Sequence, residues 1–133
     1  MTDPRPSDRN PPSEPVFVKE KGFGHFLAAS RYSLQGLRRL LHEAAFRQEL
    51  FGFVVGLALL AFGGATVGDY VTFGVLMLIL FAVEAINTAI EEVIDRISPE
   101  ISSVGRHAKD LGSFSVSCLL LANAAFVAYV VFF

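Results

Sequence analysis

Four polar residues interrupt an otherwise apolar part of the chain: Glu84, Asn87, Glu91 and Asp95, within the stretch Val83–Arg96. They recur at i, i+3, i+7 and i+11, which places them on one stripe of a helix. The stretch continues directly from the apolar run Tyr70–Val83. The first carboxylate therefore falls inside, or at the edge of, a membrane-spanning segment. A charge there costs at least about 2.5–3.5 kcal/mol on insertion scales and by default marks function. Glu84 and Glu91 are separated by about 10 Å along the axis, at a rise of about 1.5 Å per residue. One carboxylate can thus work in the membrane and the other near water. At membrane depth a carboxylate can take a proton from a lipid hydroxyl.

Two further polar clusters accompany the stripe. One is Glu43-Ala44-Ala45-Phe46-Arg47-Gln48-Glu49; the other is Lys109-Asp110 with Ser113. Carboxylates from separate segments suit Mg²⁺, a hard ion that prefers oxygen ligands and phosphate. A nearby Lys offers a point charge to phosphate. Simpler roles compete for several of these residues. Glu43 and Glu49 can pair with Arg39 or Arg47 as surface charges do at i, i+4. Glu92 points off the stripe and reads as a solvated charge. Asp110 is favourable near a helix start in its own right. No Walker-type G-x-x-x-x-G-K-[ST] string occurs, so any phosphotransferase here is built on another fold. His25, His42 and His107 are scattered and lack zinc spacing.

The elements that must position these groups follow from hydropathy. The chain has 133 residues, of which 53% are hydrophobic and 18% charged. Three runs are nearly free of charge: Leu50–Gly64, Tyr70–Val83 continuing into the stripe, and Leu111–Phe133. About 20 residues cross a bilayer. The first run is short, so it either borrows turns from the helix before it or crosses with little tilt. We therefore expect an all-α integral membrane protein, with three transmembrane helices at about 50–64, 70–95 and 110–133. A cytoplasmic interfacial amphipathic helix over 24–49 precedes them, with Phe26, Leu34, Leu37 and Leu41 on one face and Arg31, Arg38 and Glu43 elsewhere. Residues 1–23 form a Pro-rich disordered tail and a transition, and residues 24–133 one domain.

All 11 Lys and Arg residues lie before the first span or between the second and third. The positive-inside rule makes that side, and the N-terminus, cytoplasmic. No cleavable signal peptide is expected. The formal charge of −2 is uninformative about partners, and no nucleic-acid partner is expected. Gly52 and Gly56 form a GxxxG pair, and Ala85 and Ala89 a small-xxx-small pair; both permit close helix approach. The lone Cys118 reads as a packing residue.

Three strings carry a resemblance: His42-Glu-Ala-Ala-Phe-Arg-Gln-Glu49, Glu84-x-x-Asn-x-Ala-Ile-Glu-x-x-x-Asp-Arg96 and Ala108-Lys-Asp-x-Gly-Ser113. In this order, over about Gly24 to the C-terminus, they resemble the prokaryotic diacylglycerol kinase family. The resemblance implies a bacterial inner-membrane lipid kinase that works as a homotrimer. It implies transfer of the γ-phosphate of ATP, with Mg²⁺, to the primary hydroxyl of diacylglycerol to give phosphatidic acid. By position, Glu84 matches the family's general base, and Glu43 and Glu91 its metal-binding carboxylates. Asn87, Lys109 and Asp110 match polar residues around the phosphates. Tyr32 and Glu100 align with nucleotide-contacting positions. Ser33, Phe46, Arg47, Gln48, Glu49 and Ser113, with Glu84 and Asn87, align with the lipid side. His25 falls where an Arg is expected near nucleotide and lipid, the surface helix is one residue shorter between Arg38 and Glu43, and Ser102 stands where a loop His is common.

The nearest alternative is an undecaprenol kinase of the same superfamily. The Glu-Ala-Ala-Phe-Arg-Gln-Glu string leans toward the diacylglycerol type. A small proton-coupled transporter would use a membrane Glu, but no polar path leads to the outer half of any span. A noncatalytic subunit would leave the cost of Glu84 unexplained.

Overall fold

Helix boundaries in this protein are set by short polar caps between long apolar runs. The structure, a computed structural model, describes residues 23–98, 100 and 102–133, with side chains from Phe26 onward. Of the tail and transition expected over 1–23, residues 1–22 lie outside the described residues, as does the His25 side chain, and Phe23 already belongs to the first helix. Among the described residues all regular structure is helical: α1 (Phe23–Leu40), α2 (Ala44–Phe62), α3 (Val67–Ile97) and α4 (Ser103–Phe132). The chain divides into two units, Met1–Ser33 and Leu34–Phe133. In the first, Ser30 and Ser33 donate their hydroxyls to the Phe26 and Ala29 carbonyls, and Tyr32 is exposed.

The helix expected to run to Glu49 breaks at Leu41–Glu43, and the first span begins at Ala44. The physical reason is a local cap. His42 and Glu43 close tight i→i−3 turns onto the Arg39 and Leu40 carbonyls. The Arg47 guanidinium then reaches back to the Leu41 and His42 carbonyls at 3.2 and 2.8 Å, which α2 itself cannot satisfy. Starting at Ala44 makes α2 19 residues long, about 28 Å, close to a bilayer core of about 30 Å. The extra turns come from the residues just before the short apolar run.

The turn after α2 uses Gly64 at φ +72°, a conformation that glycine adopts without steric cost. Gly63 packs so closely on α4 that a Cβ would lie 3.1 Å from the Val131 Cα. α3 opens on a capping box: Thr66 Oγ1 accepts from Asp69 N, and Asp69 Oδ2 accepts from Thr66 N, which satisfies two orphan donors. The return to α4 is equally tight. Ser102 accepts from Gly105 N at 3.0 Å and from Ser98 Oγ at 3.1 Å.

α2, α3 and α4 are each long and apolar enough to cross a membrane. They pack mutually, α3 most extensively on α4. The core is small: Leu60, Phe73, Met77, Leu80, Val116 and Val127. A ladder of rings joins α2 to α3, with Phe46 on Phe81 at 5.1 Å and Phe53 on Phe73 at 5.6 Å. Val54, Leu78, Leu121 and many other large apolar side chains are exposed. That pattern suits lipid or neighbouring helices, where burial in protein gains little over hydrocarbon.

Candidate functional site

The buried face of α3 reads Phe73, Met77, Leu80, Glu84, Asn87 and Thr88. It is one continuous helical stripe whose character changes from apolar to polar at Glu84. From Val67, Glu84 is about 26 Å along the axis and Glu91 about 36 Å, so the stripe leaves a core about 30 Å thick between them. Burial follows this order: Glu84 is 4% exposed and Asn87 8%, Glu91 is half-buried, and Asp95 is exposed.

α2 brings a second carboxylate to the same level. Its buried positions are Phe46, Glu49, Gly56 and Leu60, again one face at helical spacing. The Phe46 ring, docked on Phe81, fixes the rotation of α2, and Glu49 then faces inward beside it. Glu49 is only 5% exposed, and among the described residues neither of its oxygens has a hydrogen-bond partner. The charges of Glu43 and Glu91 act on Glu84, and that of Glu84 acts on Glu49. Four carboxylates from α2, α3 and the break before α2 therefore share one electrostatic neighbourhood.

Cations close the rim. Arg39 bridges two elements: its Nη1 lies 2.5 Å from Glu43 and its Nε 2.7 Å from Glu92 of α3. That double pairing holds the Arg39 pKa above its ordinary value, chiefly through the hydrogen bond to Glu43. Glu92, read from sequence as solvated, is exposed but tied to this bridge. Lys109 of α4 pairs with Asp95 at 2.5 Å, which joins the end of the stripe to the start of α4. Asn87 Nδ2 donates to Glu91 Oε1 at 3.1 Å, while its Oδ1 is buried without a partner among the described residues.

Gln48, Asp110, Ser113 and Glu100 are exposed. Arg47 caps α1, and Phe46 is a core ring. Tyr32 and Ser33 belong to the N-terminal unit. Beneath Glu49 a cavity of about 540 Å³ runs between the three spans, lined by Gly52, Gly56, Phe73, Leu80 and Val116 among others. Asn123 borders it and keeps an unpartnered Oδ1. The Arg39–Glu43 pair is the i, i+4 pairing expected from sequence, whereas the Asn123 amide, the Glu92 end of the Arg39 bridge and the Ser102 cap escape a reading by motif. Only Ser102 carried a local signal, a Ser directly before a helical run.

Among the described residues no group of three His, Cys, Asp or Glu stands close enough to hold a metal by itself. Mg²⁺ makes no such demand, because it keeps waters and phosphate oxygens and takes one or two carboxylates. Glu43 and Glu91 are hard oxygen donors of the kind that hold such an ion jointly with a nucleotide. The arrangement as a whole combines Glu84, a buried carboxylate on α3, and Glu49, which lines the apolar cavity, with an acidic, cation-rimmed mouth. It can deprotonate an alcohol arriving from lipid and receive a phosphate compound from water.

Known proteins resemble this chain in sequence. The family model for prokaryotic diacylglycerol kinase matches residues 31–132. A diacylglycerol kinase of Sinorhizobium sp is 52% identical over 115 residues, covering 86% of this chain and 84% of the relative. The diacylglycerol kinase of Escherichia coli K12 is 40% identical over 99 residues, covering 71% of this chain and 79% of its own. That of Haemophilus influenzae is 37% identical over 99 residues, covering 74% and 84%. A family match across all three spans, joined to this level of identity, means that the chain belongs to the prokaryotic diacylglycerol kinase family and is a membrane enzyme of that family.

Proposed function

We propose that this chain transfers the γ-phosphate of ATP to the primary hydroxyl of diacylglycerol, with Mg²⁺, and releases phosphatidic acid and ADP. The observation that carries the reading is Glu84, a carboxylate buried on a membrane-length helix and acted on by the charges of Glu43 and Glu91. In this scheme residues 24–133 form a lipid-kinase domain of the bacterial inner membrane, behind a Pro-rich tail over 1–23. The N-terminus and the site face the cytoplasm, where ATP is found, and the protein works as a homotrimer.

Glu84 accepts the hydroxyl proton as the lipid oxygen bonds to the γ-phosphorus. The bond from that phosphorus to its bridging oxygen breaks, and ADP leaves with the electron pair. Such a reaction is catalysed mostly by positioning and charge stabilisation. Glu43 and Glu91 are the residues that would hold Mg²⁺, whose chemistry there is to offset the charge of the ATP phosphates. Lys109 adds a point charge beside Asp95, and Asp110 and Asn87 complete the polar wall on the phosphate side. Tyr32, Glu100 and His25 are assigned to the nucleotide. Ser33, Phe46, Arg47, Gln48, Glu49 and Ser113, with Glu84 and Asn87, are assigned to the lipid side, where the apolar cavity below Glu49 supports the reading.

The test is a phosphorylation assay on purified protein in lipid, with Mg-ATP and with diacylglycerol and undecaprenol side by side. Phosphatidic acid as main product is the expected result. Phosphorylated undecaprenol would keep the chemistry and change the substrate, and no lipid phosphate from either would refute the reading. Glu84→Gln should abolish turnover and keep ATP binding. Glu43→Ala and Glu91→Ala should each raise the Mg²⁺ requirement.

A further inference from the structure

Asn87 faces two helices. Its Nδ2 donates to Glu91 Oε1 on the next turn of α3. The direction of that bond is settled by chemistry, since the amide nitrogen only donates. The opposite atom, Oδ1, must then point toward α4, where it is buried without a donor among the described residues. It lies over Gly112: a Cβ built there would fall on Oδ1 and come within 3.1 Å of Cγ. An alanine at 112 and Asn87 in its present rotamer cannot coexist.

Nothing in the backbone demands glycine at this place. Among the described residues Gly64 is the one with positive φ, and Gly112 lies inside α4, where glycine is a poor helix former. What glycine supplies at 112 is room. The geometry points to Gly112 as a positioning residue for phosphoryl transfer: its bare Cα admits the Asn87 carboxamide between α3 and α4, and so aims Nδ2 at Glu91 and orients that carboxylate. The inference deepens the kinase reading and rests on it for the role of Glu91.

The clash has a defined release. The obstructing atom is the end of a flexible side chain rather than backbone, so Gly112→Ala turns Asn87 aside and leaves the helix packing in place. The variant then loses the bond to Glu91 and behaves as Asn87→Ala does.

The experiment uses the full chain in lipid micelles. The Asn87 side-chain amide resonance, identified by its loss in Asn87→Ala, is followed together with Mn²⁺ binding by electron paramagnetic resonance and Mg²⁺-dependent turnover. Gly112→Ala should shift that resonance and raise the Mg²⁺ concentration for half-maximal rate on the order of ten- to a hundredfold, as for loss of a hydrogen bond to a charged group. It should weaken Mn²⁺ binding in parallel. In an Asn87→Ala background it should add less than about a factor of two, because the two changes remove one interaction. An unmoved resonance, or losses that multiply in the double variant, would overturn the assignment. Should Gly112→Ala not fold, the double variant must fold, since its clash is gone; a double variant that also fails overturns the inference too. If the wild type phosphorylates neither lipid, the kinase reading falls, and the resonance still decides whether Gly112 holds Asn87.

Discussion

Glu49 offers the sharpest test of how this site is held. It is 5% exposed, both carboxylate oxygens lack a donor among the described residues, and the charge of Glu84 acts against it. A buried polar group without a partner costs the folded state about 1–3 kcal/mol, and more when it is charged. Glu49→Met keeps the length of the side chain and puts a thioether among Gly52, Gly56 and Phe73 in the cavity wall. The orphaned oxygens and the repulsion disappear together. The folded state should gain about 2 kcal/mol, a factor of roughly thirty in the folding equilibrium. Glu49→Gln keeps an unpartnered polar end and should gain less. The assay is titration of the micellar protein with SDS, followed by far-ultraviolet circular dichroism, since the chain has no Trp, with lipid kinase turnover measured on the same samples. The expected outcome is a higher midpoint and a lower turnover for Glu49→Met. A lower midpoint would refute the reasoning, because it would mean that the carboxylate has a stabilising partner that a single chain does not provide.

Two other expectations use the same titration. Gly56→Ala should lower the midpoint, since its Cβ would run into the Phe73 ring in the core, an overpacking worth about 1–3 kcal/mol. Gly52→Ala meets nothing within 4 Å and should be neutral or gain up to about 1 kcal/mol from helix propensity; equal damage from both would mean that Gly52 faces a second chain. Thr66→Ala and Ser102→Ala each remove a helix cap and should each cost about 1 kcal/mol, with turnover little changed by Thr66→Ala because that cap lies at the far end of α3. A loss of turnover with an unchanged midpoint would contradict that separation.

Much of the architecture was legible in one dimension. A span is a property of length and apolar content, so three runs of uncharged residues announce three helices whatever their neighbours do. The stripe Glu84-Asn87-Glu91-Asp95 was equally plain, because helical periodicity is local and a carboxylate at membrane depth is expensive on its own account. The polar partition of the stripe, from buried Glu84 to exposed Asp95, also follows from rise per residue. Three dimensions were needed wherever two elements meet. The helix break at Leu41–Glu43 depends on Arg47 folding back onto free carbonyls, a contact no hydropathy pattern contains. Glu43, Glu49 and Glu92 look alike along the chain. Packing of Phe46 on Phe81 turns Glu49 inward, while Arg39 draws Glu43 and Glu92 together. Of the two glycines in the GxxxG pair, Gly56 lies against the Phe73 ring of α3, whereas a Cβ at Gly52 would meet no described atom within 4 Å, and Gly112 acquires its meaning from Asn87 on α3. The sequence by itself determined which segments cross the membrane and which side chains are costly there. Only the tertiary structure decided which of those side chains face one another, because rotation about each helix axis is set by packing across helices and not by the residues of any one of them.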